Sequence, residues 1–458
     1  MKKMFAVVSV IIIATLLLAA CAQPTPTAVP TTAAPTEAPT VATTVAPTPA
    51  PVGLTCAEPI KVGLITDASG ALASYGEMIM RSFMLGMEYA TGAAGSAGDV
   101  FAFAKTQENN FKIDNCEIQV FVRDDASTPD ITTTAANELI DVEKVNILVG
   151  TVSSGATATL QSIALANKIP LIVAPAAAND ITGVNFNEFT FRTSRNNYQD
   201  AMNECLALTK QYKKFVQIAP DYAFGRGSAA AFRDACTLDG GTFVADDIFA
   251  PLTTTDFTTY MEQIGKSGAE AYIVTWAGTG FVSLIQAAKD QGVTDKLALG
   301  TTFVNNAVMP ALYSTAIGTT AGIIYQYAAP KNAINDFLVA QEKARYNVVP
   351  DLFDADGMNA ALMIVAALKA TNGVATGDVL VKAMEGLSFE GPKGKVDIRP
   401  EDHVAIQDMY ILKLENLTDP NANYYSYVDT TRPEPPCLLP ETLKSRCGSL
   451  PYGNLSGK

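Results

Sequence analysis

The stretch Ile60-Lys61-Val62-Gly63-Leu64-Ile65-Thr66 is an apolar run with the length of a β-strand. The loop Ser69-Gly70-Ala71-Leu72-Ala73-Ser74-Tyr75-Gly76 follows it, and residues 76–90 are predicted to form a helix. A short apolar strand, a loop of small residues and a helix together make one unit of a parallel sheet. This stretch decides the fold because the same order of elements recurs along most of the chain.

Two series of strand–helix units follow one another. The predicted strands after the first are 117–123, 146–149 and 171–174 in one series, and 215–219, 242–244, 271–275 and 297–299 in the next. Helical segments separate them, so both faces of each sheet are expected to be covered. The sequence therefore predicts an α/β fold of two doubly wound, Rossmann-like lobes with parallel sheets.

The composition excludes several classes of function. With 458 residues, of which 48% are apolar and 17% charged, the chain is too long for one small module and is able to bury a core. A net charge of −14 repels phosphate backbones, which argues against nucleic-acid binding. His403 is the single histidine, so a histidine-rich metal centre is excluded, and its neighbours do not resemble a nucleophile site. We expect neither an enzyme nor a cofactor.

The first 21 residues read as an export signal. Lys2 and Lys3 precede an apolar run at 4–18, and Leu18-Ala19-Ala20-Cys21 matches the lipobox of bacterial lipoproteins, in which the cysteine is acylated. The alternative, a membrane-spanning helix, needs about 20 apolar residues, more than this run supplies. We expect a protein anchored only by lipid on Cys21, in the periplasm or at the outer face of the cell membrane.

Residues 22–55 are predicted to be a linker. They consist almost entirely of Ala, Pro, Thr and Val, with eight prolines between Pro24 and Pro51. Such a segment builds no core, and at ~3.1 Å per residue a polyproline II chain extends up to roughly 100 Å. A proline-rich recognition segment is the weaker alternative, because no basic residue flanks the prolines.

Six further cysteines indicate disulfides in an exported protein, although six allow 15 connectivities. Cys56 and Cys116 precede two strands that are expected to be neighbours. Cys205 and Cys236 lie on successive helices, and Cys437 and Cys447 bracket a short loop near the C-terminus. Placement therefore predicts the pairs Cys56–Cys116, Cys205–Cys236 and Cys437–Cys447.

Ligands of open parallel sheets bind at the carboxyl ends of strands, so the loops there are the candidate site. They are residues 69–76, 150–155, 174–179, 220–225 and 276–280. Three carry an aromatic residue, and several place hydroxyls beside helix N-termini, where a carboxylate is favoured. Ordinary turn and capping chemistry explains any one of them equally well. Trp276 is interpreted as a pocket wall, with core packing as the alternative.

Two other motifs point to cofactors only weakly. Residues 225–230 fit G-x-G-x-x-A, but five residues separate the first glycine from the predicted strand, which argues against dinucleotide binding. Asp351, Asp354 and Asp356 lack the spacing and the closing glutamate of a calcium loop, and helix capping explains them better. We therefore expect no metal.

Several ordered motifs resemble one family. They are S-G-x-x-x-x-Y-G, G-T-x-S-S, A-P-A-A-A-N-D-I-T-G, F-R-T-S, D-Y-A-F-G-R-G and A-D-G-x-N-A-A, found between Pro59 and about Lys413. The chain resembles solute-binding proteins of the branched-chain amino acid (Leu/Ile/Val-binding) type, which serve ABC importers. The resemblance implies the type I periplasmic binding fold, with three hinge crossovers between lobe one (56–193 and 328–391) and lobe two (194–327 and 392–458, with the tail). It also implies a small-molecule solute and permease partners for a protein that we expect to be monomeric.

The resemblance also implies which residues bind the solute. The family's lobe-one aromatic corresponds to Tyr75, and its lobe-two aromatic to Phe224. The family's carboxylate-binding groups correspond to Ser154 and to the backbone of Ala176 and Ala177, and Ser153 is also predicted to line the cleft. The Trp276 prediction comes from the loop argument, and Thr302 stands where members that bind α-amino acids carry an acid.

The chain departs from the amino-acid-binding pattern at Thr302 and at Ala178, where the family has a threonine. A buried ammonium without a charged partner costs several kcal/mol. We therefore expect a carboxylate or amide without a free α-amino group, unless Asp221 or Asp354 supplies the missing charge to an amino-acid-like solute. The alternative function is an extracellular sensor that signals through a membrane partner.

Overall fold

The computed structural model describes residues 53–96, 108–301 and 305–458. The predicted signal peptide with Cys21, nearly all of the predicted linker, and Thr302 lie outside these residues. Within the described part of the chain, no helix is both long and apolar enough to cross a membrane.

Six strands form the first sheet. They are β1 (Ile60–Thr66), β2 (Glu108–Ile113), β3 (Cys116–Asp124), β4 (Ile147–Val149), β5 (Leu171–Val173) and β6 (Thr190–Arg192). Their order is β2-β3-β1-β4-β5-β6, and every neighbouring pair is parallel except β2 and β3. The helices between them are α1 (Ala73–Thr91), α2 (Pro129–Glu138) and α3 (Ser154–Asn167). The antiparallel edge strand β2 was not predicted, because its sequence ENNFKI is mostly polar.

Five strands form the second sheet. They are β7 (Lys214–Pro220), β8 (Thr242–Phe243), β9 (Ile248–Ala250), β10 (Ala271–Val274) and β11 (Ala298–Gly300). All of their pairings are parallel, with β7 and β10 at the centre. The accompanying helices are α4 (Asn197–Gln211), α5 (Ala223–Leu238), α6 (Thr258–Gly265), α7 (Gly280–Asp290) and the short α8 (Met309–Leu312).

The chain then returns to the first sheet and crosses again. From β12 (Thr320–Ile323) it enters α9 (Ala333–Tyr346) and α10 (Asp354–Ala370), which pack on α1, and then α11 (Gly377–Met384). Two small antiparallel sheets complete the fold. One contains β13 (Ser388–Gly391), β14 (Gly394–Ile398) and β15 (Ala405–Ile406), and the other joins β12 to β16 (Met409–Leu414) and β17 (Tyr425–Thr431).

The predicted α/β class with two parallel sheets is confirmed. Val62 and Leu64 of β1 are fully buried, as expected for a central strand covered by helices on both faces. Helix α1 is also buried on most sides because it lies between the sheet and α10. A β-carbon on Gly86 of α1 would stand 2.8 Å from the β-carbon of Ala361, so these two helices approach closely.

The three predicted disulfides are confirmed. Cys56–Cys116 joins the segment before β1 to the start of its neighbour β3, Cys205–Cys236 joins α4 to α5, and Cys437–Cys447 closes a loop near the C-terminus. Their Cα–Cα distances of 4.7, 4.9 and 5.7 Å lie in the ordinary range for disulfides. The first pair was predictable because Cys56 and Cys116 lie beside the starts of two strands that are neighbours in the sheet.

Two glycines let helices begin directly against strand ends. A β-carbon on Gly76 would stand 1.7 Å from the carbonyl oxygen of Asp67, and one on Gly225 would stand 1.9 Å from that of Pro220. Any side chain at either position would push the helix away from its sheet. The glycines therefore fix the adjacent aromatics, Tyr75 and Phe224, at the carboxyl edges of β1 and β7.

Candidate functional site

The carboxyl ends of the two parallel sheets face a common small cavity. The loops after β1, β4, β5, β7 and β10 all contribute to it. Five of the predicted site residues line it: Tyr75, Ser154, Ala176, Ala177 and Phe224. The enclosed volume is about 20 Å³, close to the space of a single water molecule. The loops therefore meet tightly in this conformation.

Tyr75 connects the two sheets across the cavity. It lies in the first turn of α1, and its hydroxyl accepts a hydrogen bond from the backbone N–H of Gly278, after β10, at 3.4 Å. Its ring meets the edge of Phe353 with centroids 5.1 Å apart. Burial raises the pKa of the Tyr75 phenol to about 12, so the hydroxyl keeps its proton and is able to donate it.

Ser154 presents a hydroxyl at the start of α3. Its Oγ accepts a hydrogen bond from the backbone N–H of Ala178 at 3.2 Å, which ties the loop after β4 to the loop after β5. Ser153 precedes the helix, and its carbonyl accepts hydrogen bonds from Thr151 and Thr157. Ser153 is not among the residues that line the cavity. The two adjacent predicted serines thus have different surroundings.

The loop after β5 is held by three donors. Arg195 Nη1 donates to the carbonyl of Pro175 at 2.6 Å, and the backbone N–H of Asn197 donates to that of Ala177 at 2.9 Å. Arg192 Nη1 donates to the carbonyl of Ala176. Three successive carbonyls of this loop therefore accept hydrogen bonds, which hold the loop in place beside the cavity.

The second sheet contributes two aromatic rings from one loop. Phe224 and Tyr222 have ring centroids 5.8 Å apart, and both line the cavity. The carbonyl of Phe224 accepts a hydrogen bond from the Asn197 side chain at 2.9 Å. Burial raises the pKa of the Tyr222 phenol, which is therefore neutral at physiological pH.

Trp276 lies outside this set. It is fully buried, its ring meets Phe257 edge-on with centroids 4.9 Å apart, and the next residue, Ala277, lines the cavity instead. The core-packing alternative therefore describes its position. Thr302, the remaining predicted residue, lies outside the described residues.

Arg195 and Phe353 line the cavity although neither was predicted. The Arg195 guanidinium lies 4.9 Å from the centre of the Phe353 ring, and its Nε is 3.2 Å from a carboxylate oxygen of Asp200. Only 1% of the Arg195 side chain is exposed. Arg195 directly follows the F-R-T-S motif, and that second arginine was the available signal. Phe353 comes from the start of α10, far along the chain, where no local pattern marks it.

No aspartate or glutamate lines the cavity in the described part of the chain. The two acids proposed to supply a charge have other partners: Asp221 pairs with Arg226 at 2.6 Å on the surface, and Asp354 binds Arg81 at 2.9 and 3.0 Å in the core. Asp351 is nearby, but its carboxylate accepts the backbone N–H of Asn306 at 2.8 Å, and burial raises its pKa to about 7. None of these three carboxylates lines the cavity.

The described residues contain no group of three or more His, Cys, Asp or Glu side chains suited to a metal ion. His403 is buried, stacks on Phe191 with centroids 4.1 Å apart, and bonds the carbonyl of Thr190 through Nδ1 at 2.9 Å. Burial lowers its pKa, which favours the neutral ring. Its position is that of a core side chain beside β6.

Comparison with known proteins identifies relatives for nearly the whole folded region. The family model described as periplasmic binding protein matches residues 59–419. Leu/Ile/Val-binding protein homolog 6 of Brucella melitensis is 27% identical over 382 residues, covering 81% of this chain and 90% of that protein.

Two solved structures are also similar. A branched-chain amino acid transporter protein of the ABC type from Rhodopseudomonas palustris CGA009 is 33% identical, with a TM-score of 0.65, and the match covers 81% of this chain and 96% of that one. A solute-binding protein of an ABC transporter from Rhodopseudomonas palustris BisB5, in complex with 3,4-dihydroxybenzoic acid, is 26% identical, with a TM-score of 0.68 and coverage of 81% and 97%.

Proposed function

This chain belongs to the periplasmic binding protein family, and we propose that it captures a small carboxylate with an aromatic or apolar body for an ABC transporter. Family membership establishes the coarser role, which is that of a non-enzymatic solute-binding component of such a transporter. The class of solute is our proposal.

The observation that carries the proposal is the pairing of one guanidinium with several aromatic rings around a cavity that no described carboxylate lines. Arg195 lines the cavity beside Phe353, and Tyr75 and Phe224 lie on its two sheet edges. A buried guanidinium favours a carboxylate, since charge-assisted hydrogen bonds are roughly twice as strong as neutral ones. A buried ammonium would find no opposite charge among the described lining residues and would cost several kcal/mol.

The carboxylate has further donors on the side of the first sheet. The Ser154 hydroxyl and the free backbone N–H groups at the start of α3 favour negative charge, as expected at a helix N-terminus. We assign the carboxylate to Arg195, Ser154 and the loop of Ala176 and Ala177. The apolar body would rest on the aromatic rings.

The complex of the BisB5 protein with 3,4-dihydroxybenzoic acid supports this class of solute, because it is an aromatic carboxylate without an amino group. The likeness to Leu/Ile/Val-binding proteins favours an amino acid instead. The two alternatives differ in the α-ammonium as well as in the aromatic or aliphatic body, and we choose between them on the absence of a lining carboxylate in the described residues.

Binding requires the two sheets to part. An apolar cavity of about 150 Å³ is known to admit benzene, whereas this one encloses about 20 Å³. We propose that lobe one (56–193 and 328–391) and lobe two (194–327 and 392–458) rotate about the three crossovers that join them. Two hydrogen bonds would then belong to the closed form, namely Tyr75–Gly278 and Asp351–Asn306. A lipid on Cys21 would keep the protein beside its permease.

A thermal-shift screen of the full chain tests the solute class. Benzoate, 4-hydroxybenzoate, leucine and valine would be compared at equal concentrations. Ligand at 100 times its Kd stabilises the folded state by about 2.7 kcal/mol, so a specific solute gives a clear rise in Tm. We expect the benzoates to raise Tm and the amino acids to leave it unchanged.

Replacing Phe224 by alanine is expected to weaken benzoate binding by ~1–3 kcal/mol, because a pocket aromatic loses its stacking and burial. Isothermal titration measures the change. The matched control is Tyr427→Ala on β17, because Tyr427 is 58% exposed and does not line the cavity. Equal affinities for the Phe224 variant and the wild type would remove Phe224 from the site.

A further inference from the structure

The C-terminal residues 437–458, here called the C-terminal clasp, form a compact unit of their own. The disulfide Cys437–Cys447 closes its first loop. The backbone N–H of Cys437 donates to the carbonyl of Pro451 at 2.8 Å, and that of Gly453 donates to the carbonyl of Cys437 at 3.0 Å. The Tyr452 hydroxyl donates to the carbonyl of Leu439 at 2.9 Å. These bonds make the clasp internally rigid.

One end of the clasp is attached beside the first sheet. Arg446 Nη2 is 2.7 Å from a carboxylate oxygen of Glu385, which follows α11, and also donates to the carbonyl of Pro400 at 2.7 Å. Its Nε donates to the carbonyl of Glu401 at 3.0 Å. The guanidinium lies 5.1 Å from the centre of the Phe186 ring, just before β6. This attachment combines an ion pair, two carbonyls and an aromatic contact.

The other end of the clasp is attached to the second sheet's helices. The backbone N–H of Leu455 donates to a carboxylate oxygen of Asp234, on α5, at 2.8 Å. The side chain of Leu455 packs against the cluster around Phe232 and Cys236 of the same helix, as does that of Leu438 at the start of the clasp. This attachment is smaller than the first, with one charge-assisted hydrogen bond and two apolar side chains.

We propose that the C-terminal clasp is a conformational device that holds the closed form together and sets how often the cleft opens. The proposal rests on the proposed function only in requiring that the two sheets part. Because the clasp is rigid and contacts both sides, the sheets separate only if one attachment yields. The attachment at Leu455 and Asp234 is the weaker one, so it is the one that releases.

Hydrogen exchange of the full chain without any added solute tests this directly. Two backbone N–H groups report on closure, because Gly278 bonds Tyr75 and Asn306 bonds Asp351 across the cleft. Deleting residues 454–458 removes the Leu455 attachment. We expect exchange in peptides containing Gly278 and Asn306 to become about three- to tenfold faster, since a local opening loses one hydrogen bond and one apolar contact.

The matched control is deletion of Gly457 and Lys458 alone, whose hydrogen bonds reach only Asn454 within the clasp. It should leave exchange unchanged. Peptides of the central strand β1 report global unfolding and should exchange at the wild-type rate in both variants. The proposal would be overturned if deletion of residues 454–458 left exchange unchanged in the peptides containing Gly278 and Asn306. It would also be overturned if exchange in the β1 peptides became faster by the same factor. An error in the proposed class of solute would instead appear in solute titrations, and the exchange experiment uses no solute.

Discussion

Benzoate affinity is expected to fall at least about 30-fold, equivalent to ~2 kcal/mol, when Arg195 is replaced by methionine. Arg195 is the guanidinium that lines the cavity, with only 1% of its side chain exposed, so no solvent replaces the lost charge. Titration calorimetry measures the change. Lysine at this position keeps the charge but loses the planar fork, so an intermediate affinity is expected.

The control for this variant concerns Asp200, whose carboxylate lies 3.2 Å from Arg195 and would be left without its partner. Burial raises the pKa of Asp200 to about 6, so its charge is already costly in this environment. The double variant Arg195→Met with Asp200→Asn removes both charges and should fold normally by circular dichroism. Affinity within threefold of the wild type in this double variant would show that Arg195 does not hold the solute.

The free energy of unfolding is expected to fall by about 3–5 kcal/mol when Arg81 is replaced by methionine. Arg81 of α1 binds Asp354 at 2.9 and 3.0 Å and Glu342 at 3.2 Å, and both acids are fully buried. Burial raises the pKa of both carboxyls, so without Arg81 either an unpaired charge or a proton must be accommodated in the core. Urea unfolding followed by circular dichroism gives the change.

The same substitution on the surface provides a matched control. Arg226 pairs with Asp221 at 2.6 Å, but 59% and 42% of the two side chains are exposed. Exposed pairs contribute between 0 and about 1 kcal/mol, so Arg226→Met should change stability little. If both arginine variants unfold at the same urea concentration, the buried cluster does not hold α10 against α1.

The strand–helix alternation was predictable from the sequence because each parallel strand is a short run of buried side chains. The strands that were not predicted lack this local signal. Strand β2 is mostly polar at the sheet edge, so it leaves no local hydrophobic signal. The small antiparallel sheets pair segments distant in sequence, such as β12 with β16, and nothing in either segment announces its partner.

The residues of the candidate site also differ in how far the sequence predicts them. Tyr75 and Phe224 were predicted from the family motifs that contain them, and each directly precedes a glycine that lets the first turn of a helix pack against a strand end. Trp276 and Ala277 are neighbours in the loop after β10, yet Trp276 is buried in the core and Ala277 lines the cavity. Phe353 was beyond prediction because only the packing of α10 on α1 brings it to the cavity.

Titration calorimetry of the full chain with benzoate and with leucine is the decisive measurement, since both solutes carry a carboxylate but only leucine carries an α-ammonium. We expect micromolar or tighter binding of benzoate or its hydroxylated forms, and no measurable heat of binding with leucine. Sub-micromolar binding of leucine, with none of benzoate, would contradict it and would place an unidentified negative charge in the cavity.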